Sequence, residues 1–407
     1  MREMKDSRIE WVGAIPQNWQ LSKIGSLYTQ RNEKVSDKDY QPLSVTMQGI
    51  LPQLATAAKT DDGDNRKLVR VGDFAINSRS DRRGSCGISP LDGSVSLINI
   101  ILTPRTAMHP GYYNWLFHTT LFADEFYKWG HGIVADLWTT RWQEMKSITV
   151  PVPEYAEQER IAAFLDAECA EINAVLEKTR ASIEEYKKLK QAVIMQAVTK
   201  GVRGDRPMKN SGIEWIGEIS QDFEIVKLKW LCDILDQFRS PVTADKRNQN
   251  ADVLYDYYGA SGAIDKIDSY TIDDHVMLIG EDGANLRMRN LPIMYEINGK
   301  AWINNHAHIL RPKEGVDFHF VFYALEALDL NYYITGSAQP KLSQDNLRNI
   351  WIPITDFSEQ KRIAAYISDV CVGLDRLIAK KQQYLTEIEN YKKSLIYEYV
   401  TGKKEVV

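Results

Sequence analysis

The chain has 407 residues, of which 44% are apolar, 10% aromatic and 26% charged, and its 50 basic and 55 acidic side chains leave a net charge of −5. These proportions suit a globular protein with room for two or three cores, and they exclude collagenous, low-complexity and wholly disordered chains. No apolar run reaches the ~18 residues of a membrane helix, the first residues lack the apolar core of a signal peptide, and Cys86, Cys169, Cys232 and Cys371 lie too far apart for a zinc knuckle or a disulfide framework. A reducing cytoplasm is the expected setting.

In chain order, the first distinctive segment is Ser7-Arg8-Ile9-Glu10-Trp11-Val12-Gly13-Ala14-Ile15-Pro16-Gln17, and it recurs at an offset of 204 as Ser211-Gly212-Ile213-Glu214-Trp215-Ile216-Gly217-Glu218-Ile219-Ser220-Gln221. Short apolar runs at 73–77 and 95–102, bounded by Gly, Asp and Pro, predict strands, and the aromatic spacing over 109–126 predicts a helix. Then comes Glu157-Gln158-Glu159-Arg160-Ile161-Ala162-Ala163-Phe164, repeated at an offset of 202 as Glu359-Gln360-Lys361-Arg362-Ile363-Ala364-Ala365-Tyr366. In the second half, 301–310 reads as a strand and 318–330 as a helix. Two matched pairs at nearly equal offsets mark an internal duplication, in which the edges of the halves agree and their middles diverge. The predicted organisation is a mixed α/β module over 1–153, a helical spacer over 154–200, a second module over 201–355 and a second spacer over 356–407.

No Gly or Pro interrupts the stretch from Glu154 to Lys200. A seven-residue spacing aligns Leu165, Ile172, Thr179, Tyr186 and Val193, with Cys169, Leu176, Ile183, Lys190 and Ala197 on the adjacent line. The second copy keeps the register with Ile367, Leu374, Lys381, Ile388 and Leu395 beside Cys371, Ile378, Leu385, Lys392 and Tyr399. This is a coiled-coil seam, and Asp356 with Glu359 has the spacing of a capping box. Some 45 residues at ~1.5 Å each make a rod of roughly 65 Å. Lys190 and Lys392 occupy equivalent seam positions, where they either fix register or snorkel to solvent. The fold class expected is α+β: two similar mixed modules and two long antiparallel helices in a pseudo-two-fold repeat. Such an object holds two readers at a set spacing, which suits duplex DNA, where half-sites recur on one face about every 34 Å.

The doubled Ile-Glu-Trp-x-Gly-x-Ile start, the doubled Glu-Gln-x-Arg-Ile-Ala-Ala opening, the run Trp302-Ile303-Asn304-Asn305-His306-Ala307-His308-Ile309-Leu310 and the run Gly280-Glu281-Asp282-Gly283-Ala284-Asn285 resemble the specificity subunit of type I restriction–modification enzymes. The resemblance spans nearly the whole chain. It implies two target-recognition domains, each reading half of a bipartite site in double-stranded DNA. It implies helices that set the unread spacer and dock two modification (methyltransferase) subunits, with two restriction (translocase/endonuclease) subunits completing the nuclease. It also implies that this chain is non-catalytic and binds no cofactor, while its partners use S-adenosylmethionine, ATP and Mg. The residue inventory points the same way. There is no GxxxxGK[ST] loop and no Asn-Pro-Pro-aromatic motif, and Ser85 and Cys86 have no His or Asp at a readable spacing. His306 and His308 would share a strand face but lack a third metal ligand, and the run Asp61-Asp62-Gly63-Asp64 lacks the other ligands of a calcium loop.

Base reading needs forked donors and acceptors on loops. In the first module the candidates are Arg79, Ser80, Arg82 and Arg83, with Thr140 and Arg141 as a second set. In the second they are Asn285, Arg287 and Arg289, with Tyr258, Lys341 and Ser343, and with Asn304, Asn305 and His306, which either contact DNA or build the module. A solvated surface loop is the plain alternative for the arginine run. Residues 1–150 carry a net charge of +2, whereas 201–356 carry −7. An acidic module binds DNA poorly by itself, because phosphate neutralisation supplies most non-specific affinity. The acidity leaves a second class of function open, a scaffold of two protein- or glycan-binding modules on a coiled-coil spacer.

Overall fold

The computed structural model describes residues 2–53, 63–132, 138–204, 206–247 and 252–406. Asp61 and Asp62 of the acidic run lie outside the described residues. The chain packs as two units, Met1–Arg180 with Gln383–Val407, and Ala181–Gln382. The division falls inside both long helices, Tyr155–Lys200 and Phe357–Val400, rather than at their ends.

In the first unit an antiparallel sheet runs in the order Cys86–Ile88, Phe74–Asn77, Asn99–Pro104, Tyr28–Arg31. Every residue of Phe74–Asn77 is buried, which explains an apolar run with no alternation. The run at 95–102 is not one strand. Gly93–Val95 pairs with Arg66–Val69 in a separate sheet, and a turn closed by Asn99 N–H on the Ser96 carbonyl precedes Asn99–Pro104. The helix expected over 109–126 is likewise two, Pro110–Phe117 and Thr120–Lys128. Thr119 separates them, its hydroxyl accepting the Phe122 N–H as an N-cap. Tyr112, Tyr113, Phe117, Phe122 and Phe126 fill the core beneath these helices.

The second unit holds a six-stranded sheet in the order Cys232–Ile234, Ala307–Pro312, Ile272–Gly280, Met294–Ile303, Tyr255–Gly259, Gly262–Ile267. The strand expected over 301–310 is broken, because Asn304 accepts the His306 N–H on Oδ1 (2.8 Å) and turns the chain between two strands. The helix Phe318–Ala327 stops short of 330 and is capped by Asp317.

Each repeated motif makes the same joint in its own unit. Glu157 accepts the Trp19 indole N–H (2.8 Å) and pairs with Arg2, while its counterpart Glu359 pairs with Arg206. Gln158 accepts the His109 N–H and donates to the Pro153 carbonyl; Gln360 accepts the Asp317 N–H and donates to the Thr355 carbonyl. Ile161, Ala162, Ile363 and Ala364 are buried behind them. The helix start is therefore riveted to its module by two buried polar side chains with every partner in place. Asp356 caps the second helix through the Glu359 N–H (3.0 Å), but the Glu359 carboxylate goes to arginines, so only half of the expected capping box forms.

Within each unit the helical segments run antiparallel. In the first, Phe164 packs on Tyr399, Lys392 donates to Asn173 Oδ1 (2.8 Å) and Arg180 pairs with Glu389 (2.8 Å). In the second, Lys381 lies over the Tyr186 ring and Lys190 donates to both Asp375 carboxylate oxygens (2.8 Å). Asn173 and Asp375 are equivalent in the repeat, so both seam lysines make the same cross-helix contact, as register-fixing residues do. Leu165, Leu176, Ile183, Ile367, Leu374, Ile378 and Leu395 are buried in the seam, and Ile172, Tyr186, Val193, Leu385 and Ile388 are half-buried. Near Lys200 the buried line moves to Ile194, Ala197 and Val198, because these last turns pack into the core of the second unit.

Replacing Ile363, buried in that core, by Ala should destabilise the second unit by about 2–5 kcal/mol in denaturant melts. Leu377→Ala on the same helix, at a side chain 44% exposed, should cost far less.

Candidate nucleic-acid interface

In the first unit, Phe74–Asn77 ends in a loop that is tightly braced. Asn77 Oδ1 accepts the Arg79 N–H (3.0 Å), and the Tyr127 hydroxyl donates to the Asn77 carbonyl (3.1 Å). The Arg79 backbone bridges to Thr139, and the Trp138 indole donates to the Tyr127 carbonyl (2.8 Å). A single 3-10 turn, Ser80–Arg82, follows, and Gly84 closes the loop at a φ of 78°. Arg79, Arg82 and Arg83 are all exposed. Arg83 is paired with Asp124, and Arg82 lies 3.6 Å from neighbouring Asp81. Among the described residues the Arg79 guanidinium has no ion pair, which leaves it the most available of the three. Thr140 is not a surface residue: it is buried, with its hydroxyl on the Phe126 carbonyl (2.9 Å). Arg141 is exposed and opens a short helix, Trp142–Met145.

In the second unit the corresponding loop follows Ile272–Gly280, and here the expected contacts divide. Asn285 is spent on the loop itself, donating to the Leu291 and Pro292 carbonyls and accepting the Leu291 N–H. Arg287 donates to the Ile334 carbonyl, and Arg289 donates to the carbonyls of Glu326 and Leu328. Burial pulls the Arg289 guanidinium pKa down, against the pull of Glu326 and Asp329. Asn304 is buried in its turn, and Ser343 caps the helix Gln344–Arg348 through the Asn346 N–H. Asn285, Arg289, Asn304 and Ser343 thus hold the fold together, whereas Arg287 is exposed. Asn305, His306 and Lys341 remain exposed, while Tyr258 is half-buried against the sheet.

A charged network lies beneath the exposed set. His308, only 1% exposed, points Nδ1 at Asp236 (2.7 Å) and Nε2 at the Leu342 carbonyl (2.8 Å), so both ring nitrogens face acceptors. Asp236 also accepts the Ile309 N–H and the Gln344 amide. Glu281 pairs with Arg239 and, at 3.0 Å, with Lys341; Asp282 pairs with His306 at 2.7 Å. Burial would raise both the Asp236 and Glu281 carboxyls, but it is outweighed: by His308, Ile309 and Gln344 at the first, and by Arg239, Lys341 and His308 at the second. Both pKa values therefore lie below their ordinary range. His306 and His308 are thus turned to different carboxylates, and among the described residues no cluster of three or more His, Cys, Asp or Glu is arranged to hold a metal ion. No described helix is long and apolar enough to cross a membrane.

The family model for the type I restriction modification DNA specificity domain matches residues 220–390. The MjaVIII type I restriction enzyme specificity subunit of Methanocaldococcus jannaschii is 27% identical over 282 residues, 64% of this chain and 63% of that protein. The EcoprrI specificity subunit of Escherichia coli is 25% identical over 114 residues, 28% of this chain and 27% of that protein. These alignments span less than two thirds of the curated relatives. A solved chain from a study of assembly and conformational transition in a type I R-M system shares the fold at a TM-score of 0.72 and 14% identity, covering 96% of this chain and 99% of that one. The chain is thus similar in its second half to the type I restriction modification DNA specificity domain, and in fold to a chain of a type I R-M system.

The network Asp236–His308 and Arg239–Glu281–Lys341 carried no local signal in the sequence. Its members come from distant segments, brought together where Ala307–Pro312 pairs with both Cys232–Ile234 and Ile272–Gly280 and where Asp282 bridges to Lys341. The lowered carboxyl values set the sign of its pH dependence. Their stabilising contribution is complete above the unfolded carboxylate pKa of ~4 and is lost as pH falls through the folded values. Melts between pH 6 and pH 3 (roughly the carboxylate range) should show the second unit losing stability with acid. Asp236→Ala should remove part of that slope and cost about 3 kcal/mol at neutral pH, since it strands a buried partner. An unchanged slope would contradict the assignment.

Proposed function

We propose that this chain is the sequence-reading, non-catalytic subunit of a type I restriction–modification complex. Each unit reads one half of a bipartite site in duplex DNA. The long helices set the unread spacer and dock two modification subunits, which bring S-adenosylmethionine; two restriction subunits bring ATP and Mg to complete the nuclease. The work is done in the cytoplasm. The observation that carries this reading is one frame used twice with different loops. Both modules are riveted to a long helix by the same Glu-Gln pair, while the loops after their central strands share neither sequence nor contacts. Similarity to the specificity domain and to specificity subunits supports it and disfavours the alternative of a protein- or glycan-binding scaffold, for which only the acidity of the second module speaks.

That acidity assigns a division of labour. The modification subunits clamp the phosphate backbone and this chain supplies discrimination. The purified chain should accordingly bind DNA weakly in moderate salt and tightly once the modification subunits are added, which a titration by fluorescence anisotropy will resolve. Tight binding by the chain alone would contradict the division.

Mapping methylated adenine in cells with and without the chain tests the function itself, and a bipartite motif should vanish with the chain. Changing Arg79, Arg82 and Arg83 together to Ala should abolish recognition of one half of that motif only. Continued methylation at the same motif would remove the arginine loop from the reading surface.

A further inference from the structure

The two halves of the sequence are least alike ahead of their central strands, yet the fold builds the same object there twice. In the first unit, Leu43–Thr46 and Gly49–Pro52 form a hairpin with the two-residue tip Met47-Gln48. In the second, Tyr255–Gly259 and Gly262–Ile267 form a hairpin with the tip Ala260-Ser261. A glycine in the left-handed region follows each tip, Gly49 at a φ of 103° and Gly262 at 96°. An ordinary right-handed turn needs such a residue to rejoin a twisted strand.

Each tip is also seated in the same way. A Cβ on Gly87 would fall 2.9 Å from Gly49 Cα, and a Cβ on Gly280 would fall 2.8 Å from the Ala260 carbonyl oxygen. Both hairpins thus rest backbone to backbone on a glycine of the central sheet, at a distance no side chain permits. That seat places each tip beside a candidate reading loop. Met47 Cε lies against Gly84, at the end of the arginine loop, and Ala260 lies over the last residue before Glu281. The tip side chains themselves are little used by the fold: Met47 is 71% exposed, and Gln48 and Ser261 are exposed.

We propose that these hairpin tips are base-edge readers for duplex DNA, Met47-Gln48 for one half-site and Ala260-Ser261 for the other. The proposal rests on the DNA-reading function and adds to it the positions that help decide which bases are read. The Gln48 amide offers the donor–acceptor fork that matches adenine N6 and N7 in the major groove. The Met47 thioether supplies an apolar contact for a thymine methyl or a wedge at a base step. Ser261 offers one hydroxyl and Ala260 one methyl, a shorter reach on the same backbone. Arg79, without an ion pair among the described residues, is placed to hold phosphate beside the first tip.

The test uses the full chain co-expressed with its modification subunits in a host without other adenine methylases, with methylated adenines mapped genome-wide. M47A/Q48S writes the second unit's tip into the first hairpin without touching Gly49 or Gly87. Base preference should change at one or two neighbouring positions of one half-site, by about tenfold or more, with the other half unchanged. An unaltered motif, or a loss spread evenly over both halves, overturns the proposal. Should M47A/Q48S give no methylation, the milder Gln48→Asn decides: altered preference in one half supports the proposal, and an unaltered motif overturns it. A wild-type chain that directs no bipartite motif removes the DNA-reading function and the proposal with it, an outcome distinct from a tip that proves silent on a working subunit.

Discussion

Two buried side chains at the start of each long helix carry the architecture of each unit. A glutamine amide has one acceptor and two donors, and in both copies it bonds the N–H at the entry to a module helix and the carbonyl that ends the module's last loop. The neighbouring glutamate meets an arginine, and in the first unit an indole as well. Such groups are tolerable inside a protein only when every partner is present, which makes the joint directional in a way that apolar contact is not. A helix anchored like this leaves its module at a fixed angle, and the seam behind it inherits that angle. The short Glu-Gln motif therefore recurs nearly unchanged while the loops of the modules vary around it.

Repetition and the seam were readable from the residues because they are periodic, and periodicity survives without knowledge of the third dimension. Leu165, Leu176, Ile367 and Leu374 are buried where a seven-residue spacing places them. Breaks inside apolar runs were not readable. Thr119 and Asn304 end their elements through side-chain hydrogen bonds, a local event that the surrounding aromatic and aliphatic residues conceal. The candidate interface divides along the same line. An arginine in a polar loop looks the same in sequence whether its guanidinium faces solvent, as at Arg79, or is tied to carbonyls, as at Arg289, and only the packing of distant segments decides. The paired hairpins were hidden for the opposite reason, since glycines and turn geometry are preserved there while side chains are not.

The electrostatic contrast between the units has a structural side. In the second, part of the negative charge is internal to a network in which Asp236 and Glu281 are held ionised by His308, Arg239 and Lys341. Charge of this kind is largely balanced where it sits and is less repulsive to an approaching phosphate than a count of residues implies. It also stiffens the ends of the strands from which the exposed residues project, and stiffness at that place favours discrimination over mere attraction.

The seam lysines bear on how the molecule can change over evolutionary time. Lys190 and Lys392 each find their oxygen on the facing segment at one alignment only. An insertion in one stretch would leave an ammonium group opposite the wrong neighbour, and it could be absorbed only if a compensating insertion arose in the facing stretch. Viable length variants are therefore expected to come in matched steps of whole heptads.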